Sequence, residues 1–491
     1  MAMLIDWEGP REEEGGGVSI AVEGGGGEAA STMAYPGKPL PIGVAVRMEQ
    51  GKGRFLVACR ECAPGDIIFK DEAIVSASWD PEEVLSIANI VADPSSTGGT
   101  AHANAVLQNV KSCMNELEVD LCKAIWSDGE DEEESEGDEE DSCPSECEED
   151  GFLDVLDRAR CLILAIFGYS SNAHMRDIFS ALTVANLDKA RRTIARASEL
   201  ETVRRSGLFD VVGQDTAAHI LGVLNTNSHG LDSGGSATFP VGSLLNHSCV
   251  PNCHYHTRKK GQKVFFSLMA ATQISAGTPL TIDYENLFYR PREARASMLQ
   301  RFNFKCTCPA CVDQADVCRG FVHDCGSSKG VCYPPQWICN SCGAEISEAE
   351  RERFLREEDS VCLLSEEHVD RAIAAGVLHA SHHRFFWCLY ALAEMAVEHA
   401  MPEAVRLLTR VLASCDGVVP MHHPERLRLW DNLAQVHVTE GNHDDAVVAW
   451  QRALEVANIC GDLELRSEIQ ELIKKPPRDS VELSKRYSSQ S

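Results

Sequence analysis

The stretch Asn246-His247-Ser248-Cys249-Val250-Pro251-Asn252 decides how this chain is read. Well downstream comes Cys306-Thr307-Cys308-Pro309-Ala310-Cys311. A C-x-C-x2-C cluster offers three thiolates, and zinc takes four ligands in a tetrahedron. Cys249 supplies the fourth if the fold brings the two segments together. One metal then ties a turn rich in polar groups to a later lid. Between the two halves lies Gly277-Thr278-Pro279-Leu280-Thr281-Ile282-Asp283-Tyr284. Arg295-x3-Leu299 leads into Phe302-Asn303-Phe304, and Gly51-Lys52-Gly53-Arg54 stands far upstream.

In this order the four motifs resemble the SET-domain protein lysine methyltransferases, and more narrowly the SET-and-MYND (SMYD) type. The matching segments cover roughly residues 40–80 and 210–345. The resemblance implies S-adenosylmethionine-dependent transfer of a methyl group to a lysine amine. It implies that Gly51, Lys52, Gly53 and Arg54 approach the cofactor, with Lys52 or Arg54 facing its carboxylate. Glycine lets backbone come close because no side chain intervenes. Asn246, His247 and Asn227 fall where the family binds the cofactor, Asn225 competing with Asn227. Phe304 falls where an aromatic ring stacks on the adenine. Tyr284 falls where the family's tyrosine hydroxyl meets the methyl and the amine. His229, Tyr289 and Phe302 fall where the family has channel aromatics. His229 and Phe302 depart from the usual Phe and Tyr, which bears on how many methyl groups are added.

The family also carries a second zinc module, the MYND finger, after its first strands. That module needs repeated C-x2-C pairs. Here the corresponding insert holds Cys113, Cys122, Cys143, Cys147 and Cys161, none at that spacing. The expectation is that the MYND finger is absent, so its partners are not carried over.

Composition narrows the setting. At 491 residues the chain has room for two or three domains. A hydrophobic content of 44% excludes a wholly disordered protein, and no apolar run reaches the length of a membrane span. The acidic, glycine-rich start lacks the order of a secretory signal. The 21 cysteines therefore point to thiols and metal sites in cytosol or nucleus rather than to disulfides. A net charge of −30 argues against direct nucleic-acid binding. It suits a basic protein substrate, a histone tail or another lysine-rich segment.

Along the chain, residues 1–40 read as a disordered arm and 41–80 as the first SET strands. Residues 81–210 read as a helical insert, interrupted by an acidic run at 128–150 that has no Lys or Arg. Self-repulsion should keep that run disordered. Residues 211–290 read as the SET catalytic core and 291–345 as a zinc-binding post-SET segment. Residues 346–475 read as a helical domain and 476–491 as a flexible tail. Ala404, Leu408 and Val411 recur as Ala446, Trp450 and Ala453, a period of 42 residues. The recurrence resembles tetratricopeptide hairpins and offers either a protein-binding groove or plain packing against the catalytic domain.

A second cysteine group follows the first. Cys339-x2-Cys342-Gly343 has the spacing of a zinc knuckle, and Cys325 and Cys332 are taken as its other half, with His323 or Cys318 as alternates. The expectation is about two Zn2+ per chain. His379, His382 and His383 look metal-like by count but precede the aromatic run Phe385-Phe386-Trp387, so packing is their expected role. The fold class expected is α+β: a SET β-fold with helical insert, zinc-bound lid and tetratricopeptide-like tail. The rival function is a catalytically silent scaffold that binds proteins through the tail.

Overall fold

The computed structural model describes residues 40–49, 53–77, 101–130, 147–261, 263–312, 314–326, 329–461 and 463–488. The arm expected at 1–40 lies outside these almost entirely. So do Gly51 and Lys52, residues 131–146 of the acidic run, and 489–491 of the tail. Helices Met114–Glu130 and Cys147–Ser171 reach into both ends of that run.

Among the described residues, twelve short strands build five small sheets. The hairpin β1 (Val44–Glu49) and β2 (Gly53–Ala58) pairs Val44 with Ala58 and Glu49 with Gly53. β3 (Ile67–Glu72) lies antiparallel to β9 (Lys263–Ala270), which pairs in turn with β8 (Cys253–Lys260). β4 (Val75–Ala77), β5 (Ser228–Gly230) and β6 (Ser236–Thr238) form a third sheet in the order β4-β6-β5. β7 (Asn246–His247) runs parallel to β10 (Thr281–Ile282). β11 (Phe321–Asp324) and β12 (Lys329–Cys332) form the last hairpin.

β9 shows why strands so short hold together. Its run Phe266, Ser267, Leu268, Met269 and Ala270 is buried throughout. A strand covered on both faces reads as a continuous apolar run, not an alternating one. The insert helices cover the same core. Leu187–Glu199 starts on Asn186, whose side chain accepts from Lys189 N, and buries Ala190, Thr193, Ile194 and Ala197. That is one stripe at helical spacing behind a good N-cap.

Two cores result. The first runs from Val44 to Ile282 and joins the strands to the insert helices. The second runs from Phe288 to Leu483 and joins the β11–β12 hairpin to the helical tail. In the tail, Ala404, Leu408 and Val411 of Ala404–Cys415 are buried, as are Ala446, Trp450 and Ala453 of His443–Cys460. The repeated positions are thus packing positions. His443–Cys460 also packs on β8 and β9, and Arg466 donates to Gly65 O at 3.0 Å. Arg258 of β8 pairs with Glu464 and Glu468 at 3.1 and 3.0 Å. The tail is docked on the strand domain, not extended away from it.

Candidate active site

The turn containing Asn246 is held from three sides. Asp71 of β3 is buried and accepts from Val241 N at 2.6 Å and Gly242 N at 3.0 Å. It fixes the short 3-10 turn Gly242–Leu244 that delivers Leu245 and Asn246. Charge-assisted bonds of this kind are the stronger ones. The parallel register sets Asn246 beside Thr281 and His247 beside Ile282. Asn252 then clasps the later segment. Its Oδ1 accepts from Thr281 N at 2.9 Å and its Nδ2 donates to Pro279 O at 2.8 Å. Two motifs distant in sequence become one rigid piece.

Tyr284 leaves this piece at the end of β10. Its backbone N–H donates to His247 Nδ1 at 3.2 Å, and its hydroxyl donates to Leu245 O at 2.5 Å. An Nδ1 that accepts implies a proton on Nε2, which lies 3.3 Å from Cys249 Sγ. Burial pushes His247 down to about 4, so it is neutral. Burial also pushes the Tyr284 phenol up, which keeps its proton on. Asp283, beside it, is raised to about 6 by burial, against backbone hydrogen bonds from Glu285 and Leu287.

A cleft of about 590 Å³ opens at this tyrosine. Asn227, His229, Tyr255, Tyr284 and Phe302 line it from the strand domain, and Asn225 lines it too. Asn227 is buried at the end of helix Gln214–Asn227 and donates to Thr183 O at 2.7 Å. His229 packs edge-on against Phe239, Tyr255 and Phe266, with ring centroids 5.4 to 5.7 Å away. Burial pushes it down to about 4. The Phe302 ring lies 5.1 Å from that of Tyr284. Phe304 is more exposed, 5.9 Å from the His247 ring and 6.3 Å edge-on from Tyr284. His423, Glu425 and Arg428 of the helical tail form the opposite wall.

One expected channel residue is elsewhere. Tyr289 stacks on Phe386 at 3.8 Å, nearly parallel, and donates to Ser381 O and Ser414 O at 3.1 and 2.8 Å. It is a joint between core and tail. Tyr289 packs into the aromatic cluster of Phe386 and its neighbour Trp387, within the second core. Arg54 follows Gly53, whose φ of +71° ends the hairpin turn, and its guanidinium donates to Ala181 O at the end of helix Ala173–Ala181. Tyr255 and the tail wall were missed in the sequence. Tyr255 sits in the strand pattern of β8 as any packed tyrosine would. Nothing local marks Glu425 or Arg428 as cleft residues.

The first cysteine group is assembled. Cys249, Cys306, Cys308 and Cys311 bring their sulfurs within 4.8 Å of one another. Cys249 Sγ lies 3.5 Å from Cys311 Sγ and 4.0 Å from Cys306 Sγ. Sulfurs at ~2.3 Å from one zinc ion stand ~3.8 Å apart in a tetrahedron, so the set fits that ion. Mutual thiol hydrogen bonds push Cys249 up and Cys308 down.

The second group differs from the spacing-based choice. His323, Cys325, Cys339 and Cys342 converge, and Cys332 does not join them. The register opposes Cys332 to Phe321 and Gly330 to His323. Two residues along a strand is ~6.6 Å, too far for a shared ion. Cys332 is fully buried and donates to Phe321 O at 3.4 Å. Cys318 is buried beside Asp316, also outside the group.

A third group, Glu358, His382 and His383, also meets. Arg319 already forks onto Glu358 at 2.7 to 3.1 Å. Although burial opposes it, hydrogen bonds from both histidines and Arg319 hold Glu358 well below the carboxylate range. This is an ion-paired packing network. His379 bonds Ser381 Oγ at 2.7 Å and stands apart.

The SET domain family model matches residues 53–285. The chain is 30% identical over 114 residues to histone-lysine N-methyltransferase Smyd1 of Mus musculus, covering 19% of this chain and 22% of that protein. It is 24% identical over 315 residues to SET domain-containing protein SmydA-8, isoform A, of Drosophila melanogaster, covering 59% of this chain and 63% of that one. Among solved structures it is similar to the SET domain of LSMT bound to lysine and AdoHcy, at 13% identity and a TM-score of 0.29, over 88% of this chain and 87% of that chain. The chain thus spans between 22% and 63% of the length of the two curated relatives.

Proposed function

We propose that this chain, a SMYD-like protein with a SET domain at residues 53–285, is a protein-lysine N-methyltransferase that uses S-adenosylmethionine. The observation that carries the reading is the placement of Tyr284. Its hydroxyl is protonated and bonded to Leu245 O at 2.5 Å, at the rim of a cleft and on the same rigid piece as Asn246 and His247.

The cofactor, when bound, supplies an electrophilic sulfonium methyl group. The chain's own residues must desolvate and aim a neutral lysine amine. Held there, that amine would offer its lone pair to the methyl group the cofactor would supply. The product ammonium then loses a proton to solvent. Such a step needs positioning more than a dedicated base. The oxygens of Tyr284 and Leu245 offer fixed acceptors for the amine hydrogens and the methyl group. His229, Tyr255 and Phe302 supply apolar or neutral walls. A neutral His229 does not repel the amine. Asn246, Asn227 and Phe304 are the residues proposed to hold the cofactor. Arg54 is partly engaged at Ala181 O, so Lys52 is the better candidate for its carboxylate.

Cys249, Cys306, Cys308 and Cys311 would hold a structural zinc ion, closed by four protein ligands. The substrate is proposed to be a lysine-rich protein segment, a histone tail among the candidates, in cytosol or nucleus. The net charge of −30 supports a basic substrate over nucleic acid. Among the described residues no helix is long and apolar enough to cross a membrane.

The test is methyl-label transfer from S-adenosylmethionine into a whole lysate, read by mass spectrometry, beside a cofactor-binding titration. Labelled lysines that vanish with Tyr284→Phe are expected. Cofactor binding without transfer to any protein would overturn the reading in favour of a scaffold.

A further inference from the structure

A second assembled site lies at the turn end of the β11–β12 hairpin. Cys325 Sγ lies 3.5 Å from His323 Nδ1 and 3.5 Å from Cys339 Sγ. Cys342 Sγ lies 3.7 Å from the same nitrogen. Around one zinc ion, sulfur and imidazole nitrogen stand ~3.5 Å apart and two sulfurs ~3.8 Å. These three distances are close to those spacings, and all four atoms lie within 4.8 Å of one another.

The backbone is built around this arrangement. Gly343 N donates to Cys339 O at 2.9 Å and closes the knuckle that holds Cys339 and Cys342. Asn340 clips that knuckle to β12, its N–H donating to Val331 O at 2.9 Å and its Oδ1 accepting from Val331 N at 2.8 Å. Gly330 faces His323 across the hairpin. A Cβ at Gly330 would fall 2.2 Å from Cys339 Sγ. Any other residue there would expel the thiol. The position is glycine because the sulfur passes through the space a side chain would fill.

We propose that His323, Cys325, Cys339 and Cys342 form a second zinc site, of Cys3His type, separate from the Cys249 site. All four positions are filled by protein, so the ion is structural and not catalytic. Binding displaces the protons of three thiols, leaves the histidine neutral, and changes no oxidation state. The ion ties the hairpin to the knuckle just ahead of helix Glu348–Ser360. That helix starts on Ser347, whose side chain accepts from Glu350 N. The site anchors the module between the post-SET lid and the helical tail. It does not depend on methyl transfer.

The experiment measures zinc per chain by elemental analysis and native mass spectrometry on the full-length protein. Two ions are expected in the wild type and in Cys332→Ala. One is expected in His323→Ala. His323→Cys should restore two, and in cobalt-loaded protein it should strengthen the thiolate-to-metal absorption, since one more sulfur is bound. A single ion in the wild type overturns the proposal. So does a His323→Ala chain that keeps two, or a Cys332→Ala chain that loses one. If His323→Ala fails to fold, the His323→Cys and Cys332→Ala counts still decide. Because metal is counted, an inactive but two-zinc protein would overturn the catalytic reading and leave this one standing.

Discussion

The hydroxyl of Tyr284 and the carbonyl of Leu245 lie 2.5 Å apart, although 39 residues separate them in the chain. The bond exists because β7 and β10 run side by side and end together. It makes the tyrosine part of the turn that carries Asn246, so its hydroxyl cannot swing independently of the proposed cofactor site.

Tyr284→Phe should therefore separate binding from chemistry. The ring stays between Phe302 and Phe304, and only the oxygen is lost. Losing one preorganised polar group at a reacting centre costs about 100- to 1,000-fold in turnover. Calorimetric cofactor affinity is expected to stay within about 2-fold, a tolerance below 1 kcal/mol. Turnover equal to wild type would remove Tyr284 from the reaction.

Phe302 bears on the number of methyl groups added. Its ring is 5.1 Å from Tyr284 and lines the cleft. A hydroxyl there would fill space and hold the amine in one orientation. Phe302→Tyr is expected to shift product towards monomethyl-lysine by roughly 2- to 13-fold, the worth of one neutral hydrogen bond. The wild type is expected to pass beyond one methyl group when cofactor is in excess. A mass-spectrometric time course showing only monomethyl product from the wild type would refute this.

Tyr289→Phe should leave substrate kinetics alone and weaken the fold. It strips the carbonyls of Ser381 and Ser414 of a buried donor. The expected loss is about 1–3 kcal/mol. Chemical denaturation should show it as a lower midpoint at unchanged slope. A raised KM with normal stability would return Tyr289 to the channel.

How much of this was legible in the sequence depends on how local the cause is. The Cys249 site and the Tyr284 turn could be read because their residue types are rare and their order is restrictive. Tyr289 could not be placed, because an aromatic between two cores goes to whichever buries it better. The second metal group was misassigned at one ligand. Cys332 and His323 both have plausible spacing, and only the hairpin register, with Phe321 opposite Cys332, chooses between them. The tail repeat set Ala404 and Ala446 in register, with groove or packing both open, and both are buried; it carried no sign that Glu425, between them, would line the cleft.

Acid should loosen the joint between strand domain and tail. His254 of β8 faces His422 and His423, with ring centroids 5.7 Å away from each, and its Nε2 has no hydrogen-bond partner. Burial pushes His254 down to about 3 and His423 down to about 4, with the neighbouring histidines adding to it, and burial lowers His422 as well. An unfolded histidine titrates near ~6.5. Between pH 6.5 and 4 the unfolded chain takes up protons that the joint refuses, so stability is full above that window and falls as pH falls. Glu425, raised to about 8 by burial and by Glu394, works the other way. Its contribution is full below the ordinary carboxyl range and is lost as pH rises towards 8. His254→Phe should therefore flatten the acid limb of a Tm-against-pH curve, by at most about 3 kcal/mol at pH 4. Superimposable curves would show that His254 is not the group responsible.

Glu425 and Arg428 belong to the helix Pro424–Thr439, yet they wall the cleft that Tyr284 opens into. The seam between the two cores therefore runs through the cleft instead of around it. A slight change in the pitch of that helix would redraw the aperture while leaving every reacting atom in place. Selectivity can then drift through substitutions in the tail's own packing, far from Tyr284 in sequence. An excised segment ending at residue 285 would keep the tyrosine but would present an open shelf, with one side of its mould missing.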